Sequence, residues 1–349
     1  MSELILITGA TGFIGFHVLT RALDAGYRVR AAVRSPEKAD SLLSIPALKD
    51  RNIAPERLSF VTVPDLTKPG AYDDAVQGAN YIIHVASPLP SGALTPAQYE
   101  AQMIAPAVQG TLGILASAQK APSVKRVVIT SSVAAILPFG DLAGGSSRVF
   151  DAESRAPTPD TTALAHPFQA YAASKTKSFN EAEAWVRRER PAFDVVNVHP
   201  SFVMGRDDVH PTPSKLRSVG TNQYILGVAL GVAADAPVPG STAHVDDVAR
   251  VHVDALRADV PGNTSYVVHS NNPTGSLNGT DWADVVGIVA RHFPDAVARG
   301  VLPNNGHLPR IPAKIDASKT EKTFGFTHLS FEQQVKDVVE QYLSLVESS

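Results

Sequence analysis

A five-residue apolar run, Leu4–Thr8, leads into Gly9-Ala10-Thr11-Gly12-Phe13-Ile14-Gly15, and a helical pattern starts at once. This junction constrains the fold more than any other stretch of the chain. Glycines spaced three apart between a strand and a helix give a tight turn that lets bare backbone approach something closely. From Thr11 to Ala25, the residues Ile14, Val18 and Ala22, with Leu19 and Leu23, share one side, and Gly26 is placed to stop the helix. Such a turn collects backbone N–H groups and the positive end of a helix dipole at one point, which suits a pyrophosphate.

The alternation continues down the chain. Short runs rich in Val, Ile and Leu at Leu4–Thr8, Arg28–Val33, Leu58–Val63, Tyr81–Val85, Arg126–Thr130, Asp194–Val198 and Ser265–His269 read as strands, several apolar nearly throughout. Strands covered on both faces have that composition. Helical patterns lie between them, among them Pro96–Ala118 and Ser174–Glu189. The fold class expected is α/β, a Rossmann-type doubly wound parallel sheet with right-handed crossovers. Past Pro200 the segments turn irregular and richer in Pro, Gly and His, and Ser330–Val346 reads as an amphipathic helix. The expected division is a dinucleotide-binding domain over 1–200, with 241–270 returning to the sheet. Residues 201–240 and 271–349 would form a smaller C-terminal substrate-binding lobe, with the substrate in the cleft between the two.

Composition narrows the function classes. A formal charge of -3 gives no electrostatic reason to expect nucleic acid or an anionic membrane as a partner. The absence of cysteine excludes disulfides and thiolate catalysis. No apolar stretch is long enough to span a bilayer, and Met1–Ile7 lacks the pattern of a secretory signal, so a cytoplasmic location is expected. The sequons Asn263-Thr264-Ser265 and Asn278-Gly279-Thr280 then read as chance. Monomer and homodimer both stay open.

The end of the second strand bears on the choice of nucleotide. A site for NAD usually has a carboxylate there to accept from the ribose 2′-OH. Here Arg34 stands at the strand end and Lys38 one helical turn later. A guanidinium and an ammonium suit a 2′-phosphate, which points to NADP(H).

Tyr171 and Lys175 are four residues apart, so on a helix they share a face. A free phenol is a poor acid or base near neutral pH; an adjacent ammonium favours the phenolate and makes proton exchange accessible. The lysine can also reach a nicotinamide ribose. The fifth strand ends in Thr130-Ser131-Ser132, where a hydroxyl can hold a substrate carbonyl oxygen. Position alone leaves Ser131 and Ser132 both open.

Together, Gly9, Gly12, Gly15, Ser132, Tyr171 and Lys175 resemble the extended short-chain dehydrogenases/reductases, and the resemblance covers nearly the whole chain. Within that family, Tyr171-Ala172-Ala173-Ser174-Lys175-Thr176 and Ser123-Val124-Lys125-Arg126 resemble dihydroflavonol reductases and fungal aldehyde–ketone reductases. The resemblance implies catalysis by Ser132, Tyr171 and Lys175, with Ser132 preferred over Ser131. It implies cofactor contacts from Gly9, Thr11, Gly12, Phe13, Ile14 and Gly15, and from Asp65 and Leu66 at the adenine. Ala86, Ser87, Thr130, Tyr171, Lys175, Pro200, Phe202 and Val203 would contact the cofactor's inner part. The activity implied is NADPH-dependent reduction of an aldehyde or ketone on a small, largely apolar molecule. The family's Asn before Gly110-Thr111 is replaced here by Pro106-Ala107-Val108-Gln109, which leaves the proton-relay route open.

Two other functions compete. A nucleotide-sugar epimerase or dehydratase would keep NAD(P) tightly bound, but Val133-Ala134 stands where dehydratases often place Asp-Glu. A non-catalytic NADP-sensing regulator would typically lack Tyr171. No metal is expected: His244, Asp246, Asp247 and His252, like Asp207, Asp208 and His210, have no ligand spacing. No Gly-x-Ser-x-Gly elbow supports hydrolysis. Pro88, Phe139, Phe168, Phe202, Val203, Tyr224 and Ile225 are candidates for an apolar substrate wall.

Overall fold

The computed structural model describes residues 2–87, 94–270, 277 and 279–348. The chain divides into two compact units. The first comprises Met1–Phe139, Glu153–His199 and Ala249–Tyr266, and the second Gly140–Ala152, Pro200–Val248 and Val267–Ser349.

A seven-stranded sheet organises the first unit. Its strands are β1 (Leu4–Thr8), β2 (Arg28–Val33), β3 (Leu58–Thr62), β4 (Tyr81–His84), β5 (Arg126–Thr130), β6 (Asp194–Pro200) and β7 (Thr264–Val268). The spatial order is β7-β6-β5-β4-β1-β2-β3, and the pairings from β3 across to β6 are parallel. Each strand coincides with an expected one to within about two residues at its ends. Ile5, Leu6 and Ile7 are wholly buried, and burial of each such side chain favours the fold by about 1.5–3 kcal/mol. The order reverses between β1 and β4, and ligands of open α/β sheets bind beyond the carboxyl ends of the strands at such a point. There the register sets Thr8 of β1 beside His84 of β4.

Helices α1 (Phe13–Asp24), α2 (Ala105–Gln119) and α3 (Pro167–Glu189) belong to this unit. Two helical expectations need correction. The stretch expected as one helix over Pro96–Ala118 is a 3-10 turn at Pro96–Gln98, a π turn at Glu100–Ile104 and then α2. Pro106 has no N–H to donate one turn back, and the ladder widens where that bond is missing. The helix expected from Ser174 begins seven residues earlier. Pro167 fills its first position, the His166 imidazole accepts from Phe168 N at 3.1 Å, and Gln169 Oε1 accepts from His166 N at 3.1 Å. These start signals set Tyr171 inside the helix. Trp185, farther along α3, stacks on Phe193 with ring centroids 6.4 Å apart. Arg126 clamps the unit's interior: it donates to Ala255 O at 2.6 Å and Arg257 O at 3.0 Å, and pairs with Asp194 at 3.0 Å. Asn263, of the first sequon, is committed to Val195 N and Asp194, each at 3.0 Å. Asn278 of the second lies outside the described residues.

The second unit has its own core. Phe331, Val335, Val338 and Val339 of the C-terminal helix Phe331–Glu347 pack with Ile225, Leu226, Val285 and Trp282. Trp282 is fully buried, 5.7 Å from the Tyr224 ring, and donates to Val238 O at 3.3 Å. Gln341 brackets Asp207 with two 2.8 Å bonds to its backbone. Two sequence clusters weighed as metal ligands are engaged here in hydrogen bonds: His244 Nε2 meets Asp337 at 2.8 Å, and His210 Nδ1 meets Asp207 at 2.8 Å.

Each unit buries a histidine in neutral form. Burial, helped by the charge of Lys175, holds His84 down to about 3; burial, helped by His328, does the same to His269. A free histidine titrates near 6.5, so between the two values the unfolded chain binds protons that the folded chain refuses. Stability is fully present above about pH 6.5 and falls as the pH drops through the window below it. Each histidine contributes about 1.4 kcal/mol per pH unit to that slope. The urea midpoint is therefore expected to hold steady from pH 8 to 7 and to fall steeply from pH 6 to 4. A flat midpoint across the lower interval contradicts the assignment.

Candidate active site

The turn between β1 and α1 is governed by two glycines. Gly9 ends β1 at φ +77°, and a Cβ there would lie 2.6 Å from Ala86 N. Gly15 lies in the first turn of α1, where a Cβ would fall 2.0 Å from the carbonyl oxygen of Gly9. Gly12 differs: it is exposed, its nearest neighbour would be 3.5 Å from a Cβ, and its N–H donates to Gly9 O at 3.0 Å. Gly12 is also the N-cap of α1 and offers no side chain to the helix. The leading N–H groups therefore face outward uncapped, as an anion site needs. Thr11, Phe13 and Ile14 are half-buried around this turn.

Arg34 and Lys38 are both exposed just past β2, and neither forms an ion pair among the described residues. Asp65 follows β3 and accepts from Thr67 N at 2.9 Å and Thr67 Oγ1 at 2.6 Å, which holds its carboxyl below the usual range. Leu66 packs over Gly110, where a Cβ would lie 2.5 Å from Leu66 Cδ1.

At the carboxyl end of β4, Ala86 N donates to Thr8 Oγ1 at 3.1 Å, and that oxygen lies 2.8 Å from His84 Nδ1. Ser87 Oγ accepts from Lys175 Nζ at 3.3 Å. Pro88 lies outside the described residues. At the end of β5, Thr130 Oγ1 lies 2.7 Å from His252 Nε2. Ser132 is buried and its Oγ accepts from Ala134 N at 3.2 Å. Accepting there leaves the hydroxyl's own proton available to donate. Its carbonyl oxygen lies 3.2 Å from His199 Nδ1, and the His199 ring meets Phe179 edge-on at 4.7 Å.

Tyr171 is half-buried on α3. Lys175 Nζ lies 5.8 Å from the centre of the Tyr171 ring, within the range in which an ammonium is drawn to an aromatic face. Phe168 stacks on Tyr171 at 6.3 Å with 12° between planes, and Phe139 lies 6.2 Å beyond Phe168. The expected Tyr–Lys face is thus present, flanked by two of the expected apolar residues.

Pro200, Phe202 and Val203 belong to the second unit. Phe202 stacks on Tyr224 at 5.7 Å, and Pro200 and Val203 are buried. Ile225 is fully buried in that unit's core and serves packing. Several first-unit residues near Lys175 were not anticipated: His84, Thr111, Ser178 and Asn197 border the same small pocket as Lys175. The available signal was a polar residue interrupting an apolar strand, as His84 does after Ile82-Ile83 and Asn197 does between Val196 and Val198.

Residues 5–268 match the model of the NAD dependent epimerase/dehydratase family. The chain belongs to that family. A ketoreductase of Cercospora beticola is 44% identical over 349 residues, spanning 99% of this chain and 96% of that protein. A ketoreductase of Aspergillus fumigatus is 32% identical, spanning 97% of each. Among solved structures, the yeast methylglyoxal/isovaleraldehyde reductase complexed with NADPH superposes with a TM-score of 0.80 at 26% identity, covering 99% of this chain and 100% of that one.

The two glycines make opposite predictions for stability. Gly15→Ala forces backbone apart and is expected to lower the stability of the free protein by about 1–3 kcal/mol, read by thermal unfolding. Gly12→Ala meets only an ordinary contact, 3.5 Å from Gly9 O, and is expected to leave it within about 0.5 kcal/mol. Equal effects from the two variants contradict the close approach of α1 to β1.

Proposed function

We propose that this protein is an NADPH-dependent carbonyl reductase acting on small, largely apolar aldehydes or ketones. The observation that carries the reading is the pairing of Tyr171 and Lys175 on α3, with Lys175 also reaching Ser87 past the end of β4. Support for NADP(H) comes from the NADPH complex of the yeast relative and from Arg34 and Lys38. The residues fit the cofactor: the Gly9–Gly15 approach and the uncapped start of α1 suit the pyrophosphate, and two uncommitted cations suit a 2′-phosphate. The ketoreductase names of relatives at 44% and 32% identity support reduction of a carbonyl.

Bound NADPH supplies a hydride to the carbonyl carbon. The chain's residues manage the oxygen. Ser132, whose hydroxyl donates to no partner among the described residues, donates to the carbonyl oxygen and holds it as charge develops. Tyr171 delivers its phenolic proton to that oxygen, leaving a phenolate. The ammonium of Lys175 offsets the negative charge left on the ring oxygen. Phe168 and Phe139, continuing from Tyr171, give the substrate an apolar aromatic flank. Val133 and Ala134, buried just past Ser132, put no carboxylate beside the site, which weighs against elimination of water from a sugar nucleotide.

Tyr171→Phe is expected to lower kcat by about 10²–10⁴-fold while the NADPH dissociation constant, read by fluorescence titration, stays within about twofold. Retained turnover in that variant sinks the proposed role. Replacing both Arg34 and Lys38 by Ala is expected to weaken NADPH binding by about 10–100-fold and to leave NADH binding nearly unchanged. Equal losses with both cofactors would remove the 2′-phosphate assignment.

A further inference from the structure

Near the end of β6 stands a histidine to which the reaction above gives no role. His199 is wholly buried, and Val195, Val196 and Val198 of the same strand are buried apolar side chains. An imidazole in such a place gave up its bonds to water when the chain folded, a cost that a partner inside the protein has to offset.

The partner is Ser132. His199 Nδ1 lies 3.2 Å from the Ser132 carbonyl oxygen. A carbonyl oxygen can only accept, so Nδ1 carries the proton and donates it. The bond falls where the sheet stops supporting this segment. β5 and β6 pair as far as Thr130 with Val198, and Ser131 N donates to Val198 O at 2.7 Å one residue beyond. Ser132 then leads into a 3-10 turn, Val133–Ala135. Its backbone is extended, and its carbonyl accepts from Ala135 N at 2.9 Å as well as from His199. Both lone pairs of that oxygen are thus engaged.

The ring is held from another side by α3. Phe179 meets it at 4.7 Å between centroids, with 81° between planes. Phe179 lies one turn beyond Lys175 and is buried, and the Arg155 guanidinium sits 4.8 Å from the centre of its ring. The imidazole therefore packs on the helix that carries Tyr171 while it bonds to the backbone of Ser132.

We infer that His199 is a positioning residue for Ser132, tying the serine to helix α3 so that its hydroxyl and the Tyr171 phenol converge on one substrate oxygen. Pinning the Ser132 carbonyl fixes the plane of the peptide that follows, and with it the direction of the Cα–Cβ bond that carries the hydroxyl. His199 acts through Ser132 and touches neither substrate nor cofactor. The inference rests on the role given to Ser132 above.

The test has a spectroscopic arm and a kinetic arm. In NADPH-bound protein carrying isotope-labelled histidine, proton–nitrogen correlation spectra should show the His199 ring protonated at Nδ1, its signals assigned by their loss in His199→Asn. Turnover is read as NADPH oxidation with benzaldehyde. His199→Leu removes the donor and should lower kcat by about tenfold, with the NADPH dissociation constant within about twofold. His199→Asn bonds an amide nitrogen to Cγ, as Nδ1 is bonded, and should recover kcat to within about threefold of the wild type. In a Ser132→Ala background there is no hydroxyl to place, and His199→Leu should cost no further activity. A ring without a proton on Nδ1 overturns the inference. So do a His199→Leu variant with wild-type kcat, a His199→Asn variant no better than it, or losses that multiply in the Ser132→Ala background. The spectrum and the asparagine variant decide the matter even where the leucine variant fails to fold. Failure of the reductase reading shows elsewhere, as retained turnover in Tyr171→Phe, and the position of the ring proton is independent of that result.

Discussion

The carbonyl oxygen of Gly9 sits where the side chain of residue 15 would begin. That exclusion lets α1 lie against the end of β1, and the arrangement at the sheet's switch point follows from it. With α1 seated, its uncapped N–H groups face the crevice where the strand order reverses. Gly9 also brings β1 against the backbone of Ala86, so the chain leaving β4 is drawn alongside the same turn. A single methyl group at either position would separate elements that must meet.

The rest of the site is made by placing polar residues at the carboxyl ends of strands whose bodies are apolar. Thr8, His84 and Thr130 each stand at such an end, and Asn197 stands within β6, itself almost wholly buried. The strand bodies supply rigidity, and the polar positions gather at one end of the sheet without disturbing the layers around them. Helix α3 follows the same division of labour. Tyr171, Lys175 and Ser178 form a stripe at offsets of four and three residues, while Ala182 and Trp185 pack into the unit's core.

Much of this was legible in the amino-acid sequence. Strands buried on both faces announce themselves as unbroken Val and Ile, which is why the sheet could be placed almost to the residue. The glycine turn and the Tyr171–Lys175 spacing were legible for a related reason, since each needs a particular residue type at a particular offset. The start of α3 was missed because its signal is spread over His166, Pro167 and Gln169, and a histidine is an uncommon cap. The break before α2 was missed because the apolar pattern runs on through Pro106 while the hydrogen-bond ladder does not. The pocket at Lys175 could not be read at all. Ser178 and Asn197 are 19 positions apart on different elements, and a shared cavity is a property of packing.

The chain has two tryptophans, and the fold assigns one to each unit. Trp185 is stacked on Phe193 in the first, and Trp282 lies buried against Tyr224 in the second. The molecule therefore carries a separate built-in fluorophore for each half of its architecture. A chain stripped of one indole reports by emission on the melting of the other unit alone, and comparing the two curves tells whether the units come apart together or in turn.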